Sequence, residues 1–191
     1  MKKWLLGTTL VLLLGGSAKS AVVDGVSVAD SVRVGNTALI LNGAGRRTRY
    51  FFSIYVAALY LRSHTADAAQ VLADPGPMRL TMTLMRNLSA SELAGALHEG
   101  IARNASPADL ARTKSQIDQL IGIMKAIGSA KAGDILSIDF LAGGITRVGL
   151  NGRVQGAPIA GRKFQRELLD IWLGPHPAQA DLKRELLGAP P

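Results

Sequence analysis

The stretch "LNGAGRRTRYFFSIYVAALYL", Leu41 to Leu61, joins a concentration of positive charge to a long apolar run. Arginine occupies three of the four positions 46–49, and twelve residues follow in which Ser53 alone lacks a ring or an aliphatic side chain. Because these twelve do not alternate apolar with polar residues, they predict a long strand, from Tyr50, that is covered on both faces. The arginines then have two interpretations: a polar turn before a core strand, or a cation held where an apolar cavity meets an acidic ligand.

Turn signals divide much of the remaining chain into predicted strands. The pair Asp24-Gly25 separates two valine-rich runs, as in a β-hairpin. Residues 38–41 predict a strand that ends in a glycine turn at 42–45, because glycine adopts backbone angles denied to other residues. Residues 78–85 alternate apolar with polar side chains, which predicts a strand with one buried face. Three further strands are predicted at residues 135–141, 145–150 and 153–155.

Capping signals mark the predicted helices. Ser89 and Glu92 have the spacing of a capping box, which predicts a helix ending near Asn104. Ser106-Pro107 predicts the start of a second helix and Gly128 its end. Apolar residues at helical spacing predict two more helices, at 164–172 and 182–187. The order strands, helices, strands, helices predicts an α+β domain in which a large antiparallel sheet carries helices packed on one face.

The amino terminus has the three parts of a secretory signal peptide. A basic start, Met1 to Lys3, precedes an apolar run of eleven residues from Trp4 to Leu14, and small residues follow. This run is shorter than the roughly 20 residues that span a bilayer. We therefore expect residues 1–20 to be a signal peptide cleaved near Ala18 to Ser20, and residues 21–191 to form a single exported, periplasmic domain.

Composition narrows the classes of function. The chain has no cysteine, which excludes disulfides, thiolate catalysis and cysteine-based metal sites. Its formal net charge is +8. When Lys2, Lys3 and Lys19 are left out with the predicted signal peptide, 19 of the 22 basic residues remain against 14 acidic residues, which gives a net charge of +5. The basic residues are scattered apart from those at 46–49, and only 5% of residues are aromatic, so we expect no nucleic-acid partner.

Catalytic and metal-binding motifs are missing from the sequence. The three histidines, His64, His98 and His176, lie far apart and lack metal-ligand spacing. No glycine-rich phosphate loop or GxSxG motif is present. The carboxylates are mostly single and suit solvated faces and turns. We therefore predict no catalytic residue, no metal and no cofactor, and protein partners remain open.

Arg47 and Tyr55 are the candidate ligand-binding residues. A guanidinium is always charged and presents a planar fork of donors that matches a carboxylate. Near an apolar pocket it loses hydration and needs an acceptor. Tyr55 and Tyr60 differ in parity, and the odd numbering of both Arg47 and Tyr55 favours a common face for these two in a regular strand. From the residues alone, an Arg–Tyr ligand site and a purely structural role both stay open.

The opening stretch resembles the signature of bacterial chalcone isomerase-like proteins, in which a glycine–alanine–glycine–x–arginine segment leads into a strand ending Leu-Tyr-Leu. Three later segments agree in order, and the resemblance covers nearly all of the chain after residue 20: "RNLSASELAGALHEGI", "GDILSIDFLAGGITRVGLNG" and "FQRELLDIWLGPHPAQADLKRELLG". The resemblance implies an open-faced β-sandwich, a large antiparallel sheet backed by helices with a ligand cleft between them.

The resemblance also implies roles for the two candidate residues. In plant chalcone isomerase the matching arginine supports the developing enolate or phenolate, and in plant fatty-acid-binding relatives an arginine and a tyrosine hold the ligand carboxylate. The arginine carries over to Arg47, and Tyr55 stands where the plant enzyme has an active-site threonine. The plant enzyme's helical tyrosine and asparagine fall near Leu93 and Gly100, neither of which donates a side-chain hydrogen bond. The Arg–Tyr pair is therefore closer to that of the binding relatives.

Three functions follow as expectations. The first is a non-catalytic exported protein that binds a small apolar carboxylate, such as a fatty acid, through Arg47 and Tyr55. The second is an isomerase or intramolecular lyase acting on a chalcone-like enone or phenolic substrate. The third is a structural envelope protein whose cleft is filled by side chains. A cavity beside Arg47 discriminates the first two from the third.

Overall fold

The computed structural model describes residues 20–74 and 76–189, so the predicted signal peptide lies outside the described residues except for Ser20. No helix among the described residues is long and apolar enough to cross a membrane. The strands are β1 Ser20–Val23, β2 Val26–Ala29, β3 Ser31–Val34, β4 Thr37–Arg49, β5 Phe52–Leu61, β6 Met78–Leu84, β7 Leu88–Ser89, β8 Ser129–Ala130, β9 Ile135–Leu141, β10 Ile145–Leu150 and β11 Arg153–Ala160. The helices are α1 Ala68–Ala73, α2 Ala90–Asn104, α3 Pro107–Ile127, α4 Arg162–Leu173 and α5 Ala180–Leu186, with a 3-10 turn at Ala142–Gly144.

A seven-stranded antiparallel sheet, in the order β11-β10-β9-β6-β5-β4-β3, forms the centre of the molecule. The helices pack on one of its faces, which confirms the predicted α+β architecture of an open-faced β-sandwich. The β1–β2 hairpin covers part of the other face, where Val28 packs in one cluster with Tyr60. Alternate residues of β5 serve the two sides, Ala57 and Leu59 on the helix side and Val56 on the other, so both faces of this strand are covered as predicted.

The predicted helix boundaries of α2 and α3 are confirmed by their caps. The Ser89 hydroxyl accepts from the backbone N–H of Glu92, and the Glu92 carboxylate accepts in return from the backbone N–H of Ser89 at 2.8 Å. Ser106 caps α3, which begins at Pro107, and Gly128 ends it with a φ of 76° that favours glycine. These caps fix where the helix layer starts and stops above the sheet.

The glycine turn predicted at 42–45 is wrong, and so is the interpretation of the arginines as a polar turn, because β4 continues unbroken to Arg49 and the chain reverses only at Tyr50 and Phe51. The glycines serve helix packing instead. A Cβ on Gly43 would lie 2.0 Å from the carbonyl oxygen of Glu185 in α5, and one on Gly45 would lie 1.8 Å from the Glu185 Oε2 atom. Their missing side chains let α5 lie directly on the strand.

Other elements were missed or predicted too short. β11 reaches Ala160 rather than residue 155, and no sequence pattern predicted β3 or α1. β11 is an edge strand on which most residues are exposed, so it lacks the apolar alternation by which strands are recognised.

Candidate functional site

A bulge in β4 determines which residues of that strand face the helices. Leu41 pairs with Tyr60, but Gly43 pairs with Leu59, so Asn42 is an additional residue between these pairs. The Asn42 side chain donates to the Leu186 carbonyl oxygen at 2.8 Å, which ties the bulge to α5. After the bulge, the alternate residues 43, 45 and 47 share a face, so the two glycines lie under α5 and Arg47 follows them on the same side.

A second irregularity brings Arg47 opposite Tyr55. Thr48 pairs with Ser53, and a regular register would then place Ile54 opposite Arg47; the register shifts there, and Tyr55 becomes the partner of Arg47. The two residues therefore share a face, as their odd numbers predicted. That prediction assumed one regular strand, whereas the chain reverses between the two residues, and they face each other only because Ile54 is an additional residue in β5. Tyr60 lies on the opposite face, where its ring is buried with the β1–β2 hairpin.

Arg47 and Tyr55 line one cavity of about 390 Å³ between the sheet and helices α2 and α4. Most of its inner wall is aliphatic or thioether, from Ile54, Met82, Leu84, Leu88, Leu93, Leu97, Leu136 and Ile171. Six charged side chains lie around its opening: Arg47, Arg49, Arg86, Glu92, Glu99 and Arg103. The cleft is therefore not filled by side chains, whereas the third expectation, a structural envelope protein, required a filled cleft.

The phenol of Tyr55 is held by an indole. Trp172 Nε1 in α4 donates to the Tyr55 Oη atom at 3.0 Å. Burial raises the pKa of Tyr55, although the Trp172 hydrogen bond and the Arg47 charge oppose this effect. The phenol therefore stays protonated at neutral pH. Since the indole occupies an acceptor position of the oxygen, the phenolic O–H remains able to donate to a ligand.

The guanidinium of Arg47 is half-buried and lacks a carboxylate partner among residues 20–74 and 76–189. Its Nη1 atom donates to the Thr48 carbonyl oxygen and to Gln179 Oε1, the latter at 3.3 Å. Gln179, at the start of α5, also accepts from the Thr48 backbone N–H at 2.9 Å, so it fixes the strand and the guanidinium together. Burial lowers the pKa of Arg47, and the nearby positive charges of Arg103 and Arg49 act in the same direction. An anion bound here would relieve both effects.

The charges at the opening are unbalanced. Arg86 pairs with Glu92 at 3.5 Å, and Arg103 pairs with Glu99 at 3.4 Å. Arg47 and Arg49 have no such partner in the described part of the chain, so four arginines face two glutamates, with a net charge of +2. The opening favours an anionic ligand.

A family model described as chalcone isomerase-like matches residues 20–188. The chain belongs to the chalcone isomerase-like family. Among solved structures, the crystal structure of a fatty-acid binding protein from Arabidopsis thaliana is similar, with a TM-score of 0.67 and 14% sequence identity; the match covers 88% of this chain and 96% of that one. At this identity the likeness shows a shared fold. No curated protein matches the sequence of this family member.

The resemblance carries the plant enzyme's helical tyrosine and asparagine to Leu93 and Gly100, and neither side chain is a hydrogen-bond donor. Leu93 contributes an apolar wall of the cavity. Gly100 has no room for a side chain, since a Cβ there would lie 2.8 Å from the Ile171 Cγ2 atom. In the described ranges, no group of histidine and acidic side chains is arranged to hold a metal ion.

Sequence reasoning missed Trp172 and Gln179 as partners of the site. Trp172 was assigned to the apolar face of a helix, and it is indeed 2% exposed. Its role arises because its one polar atom meets Tyr55, 117 residues earlier in the chain. Gln179 stands between two predicted helices. It contacts Thr48 and Arg47, which lie 131 and 132 positions earlier in the chain, and no local sequence pattern predicts contacts over such a distance.

Proposed function

We propose that this protein is an exported, non-catalytic binder of a small apolar carboxylate such as a fatty acid. The carboxylate accepts hydrogen bonds from Arg47 and Tyr55, and the aliphatic tail lies in the cavity. One observation carries the proposal: a half-buried guanidinium without a carboxylate partner in the described chain and a protonated phenol lie side by side on the wall of an apolar cavity. Export to the periplasm rests on the signal-like residues 1–20.

The size and lining of the cavity suit an aliphatic ligand. Its 390 Å³ lies within the range of about 300–1,000 Å³ that is usual for ligand pockets. Each buried methylene group contributes about 0.8 kcal/mol, so a tail supplies affinity while the two polar groups supply orientation. The similarity to a protein described as fatty-acid binding supports this ligand class.

The polar groups of the cavity suit binding better than ring closure. Arg47 would stabilise a developing oxyanion, but orientation of a substrate and a water also needs donors. Leu93 and Gly100 provide none at the positions where the plant enzyme has them. We therefore expect naringenin chalcone to disappear no faster with the protein than in buffer.

Calorimetry with dodecanoate and dodecanol tests the proposal, because the two ligands share a tail and differ in charge. Truncating one partner of a buried charge pair costs about 2 kcal/mol or more, so Arg47→Gln should weaken dodecanoate binding by about 30-fold. Dodecanol binding should change less than about threefold. Arg153→Gln removes an exposed charge outside the cavity and serves as the matched control, with affinities equal to those of the wild type.

Two outcomes would overturn the proposal. One is that the wild type binds neither ligand. The other is that Arg47→Gln weakens dodecanoate and dodecanol equally, which would mean that the guanidinium supports the cavity wall rather than the ligand's charge. Loss of chalcone absorbance above the buffer rate, abolished by Arg47→Gln, would instead support the isomerase.

A further inference from the structure

Three consecutive aromatic residues at the turn between β4 and β5 face solvent. We call Tyr50, Phe51 and Phe52 the aromatic tip; their exposed fractions are 84%, 100% and 64%. Single exposed apolar residues are common, but three adjacent rings form a contiguous apolar patch, and such patches mark contact surfaces. Neither the family resemblance nor the proposed ligand site assigns a role to these three residues.

The aromatic tip projects beyond the rest of the sheet. Tyr55 is the first residue of β5 in register with β6, through Leu84. Closer to the turn, Thr48 pairs with Ser53 and Arg49 with Phe52, so these residues form a two-stranded extension. A two-stranded extension of this kind can insert into a non-aqueous environment, such as a lipid layer, without disturbing the packing of the core.

The turn itself gives no reason for aromatic residues. Tyr50 has a φ of 56°, in the left-handed region that glycine occupies without strain and other residues occupy at a cost. A glycine or asparagine would satisfy this backbone better. The backbone of this turn therefore does not account for the ring at this position.

The charges beside the aromatic tip indicate the partner's chemistry. Arg49 is exposed, its Cζ atom lies 6.0 Å from the centre of the Tyr50 ring, and it pairs with no carboxylate in the described part of the chain. Arg46 is also exposed, although it contacts Asp24 at 3.1 Å. Aromatic rings that enter the headgroup region, flanked by arginines that attract anionic headgroups, are the two components of interfacial membrane binding.

We propose that the aromatic tip docks the protein on an anionic lipid bilayer. The docked orientation brings the cavity to the membrane, because Arg49 and Ile54 of the same hairpin line the cavity. An apolar acid would then move between bilayer and cavity with little exposure to water. This last consequence rests on the proposed ligand site, whereas docking itself does not.

A tryptophan placed in the aromatic tip tests the contact directly. Phe51→Trp should show a blue shift and quenching by brominated lipid when equimolar phosphatidylglycerol and phosphatidylcholine vesicles are added. Val154→Trp, at a 56%-exposed position on the far edge strand β11, is the matched control and should show neither change. The native tryptophans, Trp4 and Trp172, are the same in both variants, so their contribution cancels in the comparison. The protein is purified as the exporting host processes it, and intact mass records its first residue.

Vesicle co-sedimentation gives the size of the effect. The double variant Phe51→Ser/Phe52→Ser should reduce partitioning by about tenfold or more, because it removes two of the three rings of the aromatic tip. Arg49→Gln should reduce binding to anionic vesicles about fivefold and leave binding to neutral vesicles unchanged. Val154→Ser and Arg153→Gln are the controls, and both should partition as the wild type does. Added salt should weaken binding, since it screens the headgroup attraction.

Failure of docking and failure of the ligand site are distinguishable. The double serine variant changes no residue of the cavity wall, so its dodecanoate affinity in vesicle-free solution should equal that of the wild type. The docking proposal is overturned if Phe51→Trp and Val154→Trp respond alike, or if the serine variant partitions like the wild type. A dimer in sedimentation velocity that the serine variant dissociates would also overturn it, because the aromatic tip would then join two copies of the chain.

Discussion

The two glycines of β4 give a prediction whose size can be worked out from the packing of α5. In Gly43→Ala the new methyl would lie 2.0 Å from the Glu185 carbonyl oxygen and 2.8 Å from that of Leu186. Both are backbone atoms, so α5 itself must move by more than an ångström to restore ordinary contact at 3.4 Å or more. In Gly45→Ala the closest atom, at 1.8 Å, is Glu185 Oε2, the end of a side chain that can rotate away, which leaves the Glu185 Cβ at 2.8 Å as the only fixed contact that must adjust.

The expected magnitudes follow from what α5 buries. Leu182 and Leu186 are 1% and 0% exposed, and full burial of a leucine contributes about 1.5–3 kcal/mol. Complete loss of α5 docking would therefore cost about 3–6 kcal/mol, and overpacking with partial adjustment costs about 1–3. We expect Gly43→Ala to lower the free energy of unfolding by about 3 kcal/mol and Gly45→Ala by about 1.

Equilibrium unfolding in urea measures these differences. Gly95→Ala is the control, because Gly95 lies on an exposed turn of α2 with no atom within 4 Å of an added Cβ; it should raise the free energy of unfolding by about 0.5–1 kcal/mol. In a Glu185→Ala background the cost of Gly45→Ala should fall, because the Glu185 carboxylate is gone and only its Cβ, 2.8 Å away, remains, whereas the cost of Gly43→Ala should persist. A Gly43→Ala protein within about 0.5 kcal/mol of the wild type would refute the packing argument, since surface changes away from such contacts have effects of that size.

Two further predictions concern a buried carboxylate, Asp139, and a partly buried one, Asp170. Asp139 is 3% exposed and accepts hydrogen bonds from Arg79 Nη2 at 2.9 Å and from Arg147 Nη2 at 2.8 Å. Asp139→Asn should therefore lower the free energy of unfolding by about 3 kcal/mol. A decrease of less than about 1 kcal/mol, measured by unfolding in urea, would contradict this prediction. Burial raises the pKa of Asp170, so the stability that its carboxyl provides when protonated is lost as the pH rises through that pKa. Asp170→Asn should therefore be more stable than the wild type at pH 7, and this advantage should disappear below about pH 4. Urea unfolding across this pH range measures the effect. A difference in the free energy of unfolding that does not change with pH would contradict the prediction.

The architecture could be predicted from the sequence because its signals are local. The capping box at Ser89 and the proline at 107 fixed the helix starts, and alternation in residues 78–85 fixed a strand and its buried face. The error in β4 has a physical reason. Glycine permits both a turn and the close approach of another element, and only the position of α5, more than 130 residues away, decides between them.

The candidate site was predicted in part. Charge pointed to the arginines at 46–49, the family resemblance to Arg47 among them, and parity to Tyr55, and the structure places Arg47 and Tyr55 opposite each other. The parity argument assumed a regular strand, whereas the match depends on a bulge in β5 that the sequence does not signal. Trp172 and Gln179, which hold the phenol and the guanidinium, come from the distant carboxy-terminal part of the chain and could be recognised only in the fold.

A crystal structure of the protein with dodecanoate would show directly whether Arg47 and Tyr55 bind the carboxylate. We expect the carboxylate to lie about 2.7–2.9 Å from the guanidinium of Arg47 and within hydrogen-bond distance of Tyr55 Oη, with the tail against the aliphatic wall. A tail pointing out of the cavity, or a carboxylate bound at Arg103 with Arg47 still turned to Gln179, would contradict it.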